Sequence, residues 1–66
     1  MEIYEVIQKL LDERGWRVAD LAKKSGWCIY SVYKWRAGDT IPNALAMKDM
    51  ADAFGVTIAE MYGRNE

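Results

Sequence analysis

Four glycines divide this chain and limit every regular segment to a short helix. Gly15, Gly26, Gly38 and Gly55 each follow a stretch with helical periodicity, and glycine is the residue that most often terminates an α-helix. No segment alternates apolar and polar residues as a half-buried strand does. We therefore predict an all-α fold, a compact five-helix bundle. The predicted helices cover about residues 2–14, 18–24, 28–37, 43–54 and 57–62.

The stability of such a bundle must come from apolar packing. Cys28 is the only cysteine and there is no histidine, so an intramolecular disulfide is impossible and a zinc site lacks its usual ligands. Apolar residues make up 52% of the chain. We predict that Cys28 is a small buried side chain. The other side chains predicted to face inward are Ile3, Ile7, Leu10, Leu21, Ala22, Val32, Trp35, Met47, Met50, Ala51, Phe54, Val56, Ile58 and Met61.

The same composition argues against several classes of function. Without histidine the commonest general base is missing, and no Ser, Thr or Cys has an evident activating partner nearby in sequence. We expect that the chain is not an enzyme and that it binds no cofactor, metal or small-molecule ligand. No apolar run approaches the roughly 20 residues of a membrane span, and the N-terminal residues lack the basic flank of a signal peptide. We therefore expect a soluble cytoplasmic protein without a membrane partner.

The charges are distributed unevenly along the chain. Between Arg14 and Arg36 lie six basic residues and one acidic residue, whereas the rest of the chain holds three basic and nine acidic residues. The formal net charge is only −1. A molecule with one positive and one negative end can still present a surface to phosphates.

The third predicted helix has two different faces. At about 100° per residue, Val32, Trp35 and Cys28 share one stripe, and we predict that Trp35 points into the core. Tyr30 and Lys34 fall on the opposite side, with Tyr33 beside them. Two outward tyrosines next to a lysine, on the basic segment, favour contact with a partner.

The residues from Val18 to Met61 resemble the lambda-repressor-like helix-turn-helix family, the Cro/repressor type that includes XRE-like transcriptional regulators. The small Ala22 allows two helices to cross closely, and Gly26 makes the turn between them. The sequence elements that carry the resemblance are Leu21-Ala22-Lys23-Lys24-Ser25-Gly26, Val32 and Trp35 three apart, Gly38, Pro42, the run Met50-Ala51-Asp52-Ala53-Phe54-Gly55-Val56-Thr57, and Glu60-Met61.

This resemblance implies a DNA-binding regulator of the repressor type. Residues 1–62 would form one helix-turn-helix domain, followed by a tail at 63–66. Helix 2 would abut the DNA backbone, and helix 3 would enter the major groove, usually as a homodimer on a two-fold operator. The setting would be a bacterial cell or a phage-infected host. Base contacts would come from Ile29, Tyr30, Tyr33 and Lys34, and backbone contacts from Arg17, Val18, Ser31 and Asn43. Lys24 and Arg36 are further candidates for phosphate contacts.

The sequence also departs from the family's usual pattern. Val18 stands where Gln is common, and Asp39 lies in a loop that is often basic. Relatives often have an Arg late in helix 1 that pairs with a Glu late in helix 3. Leu11 and Arg36 occupy those positions here, so Arg36 is predicted to be free.

Two further expectations concern protein partners. We expect a dimer surface made of Ile41, Leu45, Met61 and Tyr62. The alternative to DNA binding is a helix-turn-helix fold used as a protein-interaction module, because Trp and Tyr are favoured anchors at protein interfaces. Its contact residues would be Trp27, which stands where a smaller residue is usual, Ile29, Tyr30 and Tyr33.

Overall fold

A computed structural model describes residues 2–63 of the chain, and it confirms the predicted all-α fold with five helices. Residues 64–66 of the predicted tail lie outside the described residues. In the part described, no helix is long and apolar enough to cross a bilayer. The helices are α1 (Ile3–Arg14), α2 (Val18–Ser25), α3 (Ile29–Ala37), α4 (Ala44–Phe54) and α5 (Ile58–Met61).

Polar side chains define where the last two helices begin. The Asn43 side chain accepts a hydrogen bond from the backbone N–H of Ala46 at 2.8 Å, and Thr57 Oγ1 accepts one from the N–H of Glu60 at 3.2 Å. Both satisfy backbone donors that a helix start leaves without an internal partner. The starts of α4 and α5 are thus set by local sequence.

The core is one apolar cluster to which all five helices contribute. α3 packs against α1 and α2, α2 also packs against α4, and α5 lies against α4 and α1. The fully buried larger side chains are Ile7, Leu11, Leu21, Val32, Met47, Met50 and Met61.

Three predictions about burial are wrong. Cys28 is exposed, because it is the extended N-cap residue of α3 and not part of the helix. Ile58 is exposed at the first position of α5. Met61 is fully buried, which agrees with its predicted place in the core and makes its predicted place on the dimer surface wrong.

Arg14 ties the end of α1 to the end of α4. Its Nη2 donates a hydrogen bond to the Phe54 carbonyl at 2.6 Å, and its guanidinium lies 5.3 Å from the centroid of the Phe54 ring. A cation at the carboxyl end of a helix also interacts favourably with the helix dipole. The ring of Trp16 stacks on Phe54 with 5.6 Å between centroids. Arg14 therefore has a structural role within the bundle.

Gly38 lets α1 approach the end of α3. Gly38 has a positive φ of 82°, and a Cβ atom added there would lie 3.2 Å from Cδ1 of Tyr4. Gly55 has a similar φ of 74°, but a Cβ atom there would meet nothing within 4 Å. Both glycines have a left-handed backbone conformation, but only Gly38 has a neighbouring side chain that an added Cβ atom would contact.

We predict that Gly38→Ala destabilises the protein more than Gly55→Ala. Alanine in the left-handed region costs about 1–2 kcal/mol at either position, and at Gly38 the Tyr4 ring must also move. Urea unfolding of both variants, followed by circular dichroism, measures the difference. Equal losses in the free energy of unfolding would contradict the contact with Tyr4.

Candidate nucleic-acid interface

The burial of α3 follows its helical period. Val32 and Trp35 are buried, whereas Tyr30 is 74% exposed and Lys34 lies exposed on the same side. The predicted orientation of Trp35 and Tyr30 is thereby confirmed. Because a helix turns by about 100° per residue, anchoring Val32 and Trp35 in the core directs Tyr30 and Lys34 towards solvent. We call the exposed side of α3, made of Tyr30, Tyr33, Lys34 and Ala37, the α3 outer face.

Tyr33 lies at the edge of the α3 outer face and is less accessible than Tyr30. Its side chain is 45% exposed, and the guanidinium carbon of Arg36 lies 5.7 Å from the centroid of its ring. Arg36 Nη1 also donates a hydrogen bond to Gln8 Oε1 of α1 at 3.2 Å. The prediction that Arg36 is free is wrong, because Gln8 and Tyr33 both engage it. Sequence reasoning did not identify Gln8.

The two other predicted contact residues of α3 lie partly inside the fold. Ile29 is half-buried and packs against the core cluster, and Ser31 is half-buried as well. Their accessible parts border the α3 outer face at the start of the helix. Ile29 therefore contributes an apolar margin to this surface.

The start of α3 has neither a side-chain cap nor an acidic residue. Cys28 makes no side-chain capping hydrogen bond, and the first turn of α3 contains no acidic residue. The first N–H groups of a helix carry partial positive charge and bind anions such as phosphate. This end of α3 is therefore electrostatically suited to a polyanion.

α2 supplies exposed cations next to α3. Arg17 is the exposed N-cap residue of α2, where its backbone N–H donates to Asp20 Oδ2 at 2.9 Å. Lys23 and Lys24 are exposed in the last turn. The Lys24 ammonium lies 5.0 Å from the ring centroid of Trp16, so the side chain extends along an aromatic surface. Asn43 is exposed beyond α3, and its side-chain oxygen caps α4.

Trp27 has a structural role that the sequence alone did not reveal. Its Nε1 donates a hydrogen bond to Asp49 Oδ2 of α4 at 2.7 Å, and its ring meets Trp35 edge-on with 5.3 Å between centroids. The polar atom of the indole is thus engaged within the bundle. Trp27 and Asp49 together fix the start of α3 against α4.

Three of the four residues predicted for a dimer surface are exposed, and the fourth is buried. Ile41 is 80% exposed, Leu45 61% and Tyr62 46%, whereas Met61 belongs to the core. Ile41 and Leu45 flank the start of α4. Within residues 2–63, no group of three or more potential metal ligands comes together.

Comparison with known protein families shows to which family the chain belongs. A family model described as helix-turn-helix matches residues 7–61, which include α2 to α5 and most of α1. The chain belongs to the helix-turn-helix family, in its XRE and lambda-repressor-like branch. This confirms the resemblance seen in the sequence. The family is one of DNA-binding regulators and is not an enzyme family. No curated protein matches the chain.

We predict that this helix-turn-helix protein loses stability when Asp49 is replaced by Ala. The variant removes the acceptor of the part-buried indole N–H of Trp27, and loss of such a hydrogen bond costs about 1 kcal/mol. Asp52→Ala is the matched control, because it removes another α4 acid whose ion pair with Lys48, at 3.9 Å, is exposed and contributes little. Thermal unfolding compares the two variants, and equal midpoints would contradict the role assigned to Asp49.

Proposed function

We propose that this protein is a transcriptional regulator of the repressor type that places α3 in the major groove of duplex DNA. It acts by occupying an operator, in the cytoplasm of a bacterial cell or a phage-infected host, with residues 1–62 as one domain. The observation that carries the proposal is the exposure of Tyr30, Tyr33 and Lys34 on one side of α3, opposite the buried Val32 and Trp35.

Electrostatics support a polyanionic partner. Arg17, Lys24 and Lys34 are exposed on α2 and α3, and the first turn of α3 carries no acid. Cations that neutralise phosphates release condensed counterions, so affinity falls as salt rises. We assign backbone contacts to Arg17, Lys24, Ser31 and Asn43.

The chemistry of the α3 outer face favours apolar and shape-dependent recognition. Tyr30 and Tyr33 offer rings and hydroxyl groups, and Ile29 offers methyl groups at the margin. Such side chains contact thymine methyl groups and respond to groove shape. Lys34 adds a donor for base or phosphate acceptors.

A homodimer completes the proposal. Two copies related by a two-fold axis would insert their α3 helices into successive major grooves about 34 Å apart. Ile41, Leu45 and Tyr62 form the dimer surface in this proposal, because large apolar side chains with exposed fractions of 80%, 61% and 46% are suited to burial against a second copy.

A protein-interaction module is the second candidate function. The exposed rings of Tyr30 and Tyr33 suit a protein interface as well as a groove. Trp27 contributes less to this alternative, since its indole N–H already binds Asp49. Binding to a protein through these rings survives high salt, whereas binding to duplex DNA does not.

We predict that Lys34→Ala weakens DNA binding and reduces the steepness of its salt dependence. Loss of one phosphate contact lowers the slope of log K against log salt by roughly one unit. Lys48→Ala is the matched control, because it removes one exposed positive charge from α4. Fluorescence anisotropy with a labelled duplex at several salt concentrations measures both slopes. Identical slopes for the two variants would contradict a phosphate contact at Lys34.

We predict that Leu45→Glu lowers self-association. A carboxylate at the centre of an apolar interface is desolvated without a partner, which costs several kcal/mol. Tyr30→Ala is the control, since it removes another exposed large side chain, on α3, and should leave dimerisation intact. Sedimentation equilibrium gives the dissociation constants. An unchanged constant for Leu45→Glu would remove Leu45 from the dimer surface.

A further inference from the structure

A chain of polar contacts runs from α1 to the α3 outer face. Gln8 Nε2 donates a hydrogen bond to Asp12 Oδ1 at 2.8 Å. Arg36 Nη1 donates to Gln8 Oε1 at 3.2 Å, and the Arg36 guanidinium carbon lies 5.7 Å from the ring centroid of Tyr33. We call this chain the Asp12–Tyr33 relay. It links α1 to a tyrosine on α3.

The chemistry of these groups fixes the direction of the relay. A carboxylate only accepts hydrogen bonds and a guanidinium only donates them. Because Asp12 takes the NH2 group of Gln8, the amide oxygen is directed at Arg36. The Nε atom of Arg36 is buried without a hydrogen-bond partner among the described residues. The guanidinium therefore lies between Gln8 and Tyr33, with at least its Nε atom shielded from solvent.

We propose that Arg36 is a positioning residue that orients Tyr33 for DNA recognition and is not a phosphate contact. This inference rests on the proposed function. A cation over a tyrosine ring is attracted by the ring's electron-rich face, so Arg36 restricts the orientations that Tyr33 samples. The exposed fractions agree with this, at 45% for Tyr33 against 74% for Tyr30. A side chain ordered before binding loses less entropy in the complex.

The relay also affects which bases α3 can read. Arg36 is the only arginine of α3, and arginine is the commonest reader of guanine through a two-pronged contact. Because Gln8 and Tyr33 engage the Arg36 guanidinium, α3 contributes tyrosine rings and the Lys34 ammonium to the groove. Sequence preference in this proposal therefore depends on how Tyr33 is held.

The relay can be tested first in the free protein by nuclear magnetic resonance. We expect the side-chain protons of Arg36 to be shifted upfield by the Tyr33 ring current. Tyr33→Ala and Gln8→Met should abolish that shift, whereas Lys9→Met, on the neighbouring exposed position of α1, should preserve it. An Arg36 signal that does not respond to Tyr33→Ala overturns the relay without any reference to DNA.

Its role in recognition is tested with a double-mutant cycle. The ratio of affinities for a duplex selected from random sequences and a scrambled duplex is measured for the wild type, Arg36→Leu, Tyr33→Ala and the double variant. Arg36→Leu should lower the ratio about fivefold, the equivalent of about 1 kcal/mol of discrimination, without changing the salt slope. In the Tyr33→Ala background it should have no further effect. Unfolding midpoints confirm that each variant is folded, and Gln8→Met should reproduce the loss with Arg36 still present.

The outcomes separate the two proposals. A salt slope reduced by roughly one unit in Arg36→Leu, or effects of the two substitutions that simply add, would overturn the positioning role while DNA binding stands. Failure of the wild-type protein to bind any duplex at low salt would overturn the proposed function together with the recognition role of Arg36. The ring-current measurement would still decide whether the relay exists.

Discussion

The anchoring of α3 by Trp35 and Val32 is the constraint on which the rest of the structure depends. Both side chains lie in the core, and Trp27 packs edge-on against Trp35 while its N–H binds Asp49 of α4. These contacts fix the rotation of α3 about its own axis. Because the helical period is about 3.6 residues, the side bearing Tyr30 must then face solvent. The candidate interface follows from packing inside the bundle.

The basic residues of the central segment divide into two groups by their contacts. Arg14 binds the carboxyl end of α4 through the Phe54 carbonyl, and Arg36 is held by Gln8. The exposed cations on α2 and α3 remain available to phosphates. The small negative net charge of −1 therefore does not argue against a polyanionic partner, since charge position matters more than the total. The same division explains why a count of basic residues overstates the number of cations available at the interface.

Much of the fold could be predicted from sequence because its signals are local. Glycine stops, the Asn43 cap and apolar periodicity gave the five helices and the inward direction of Trp35. The errors arose at a helix boundary, in the shortest helix and where a tertiary contact decides. Cys28 fits the helical stripe but lies one residue before the helix. The periodicity of the four-residue α5 is too short to distinguish a core position from a surface position for Met61. The tethering of Arg36 by Gln8 joins residues 28 positions apart, which spacing within one helix cannot reveal.

The most direct test of the central claim is a nuclear magnetic resonance titration of the 15N-labelled protein with duplex DNA at low salt. We expect the shifted amide signals to cluster at the start of α2, along α3 and around Asn43, and added salt to reverse the shifts. The amide signals of Glu5 and Glu13, two exposed acidic residues of α1, should remain unchanged. Shifts centred on α1, or shifts at α3 that persist at high salt, would contradict recognition of DNA by the outer face of α3.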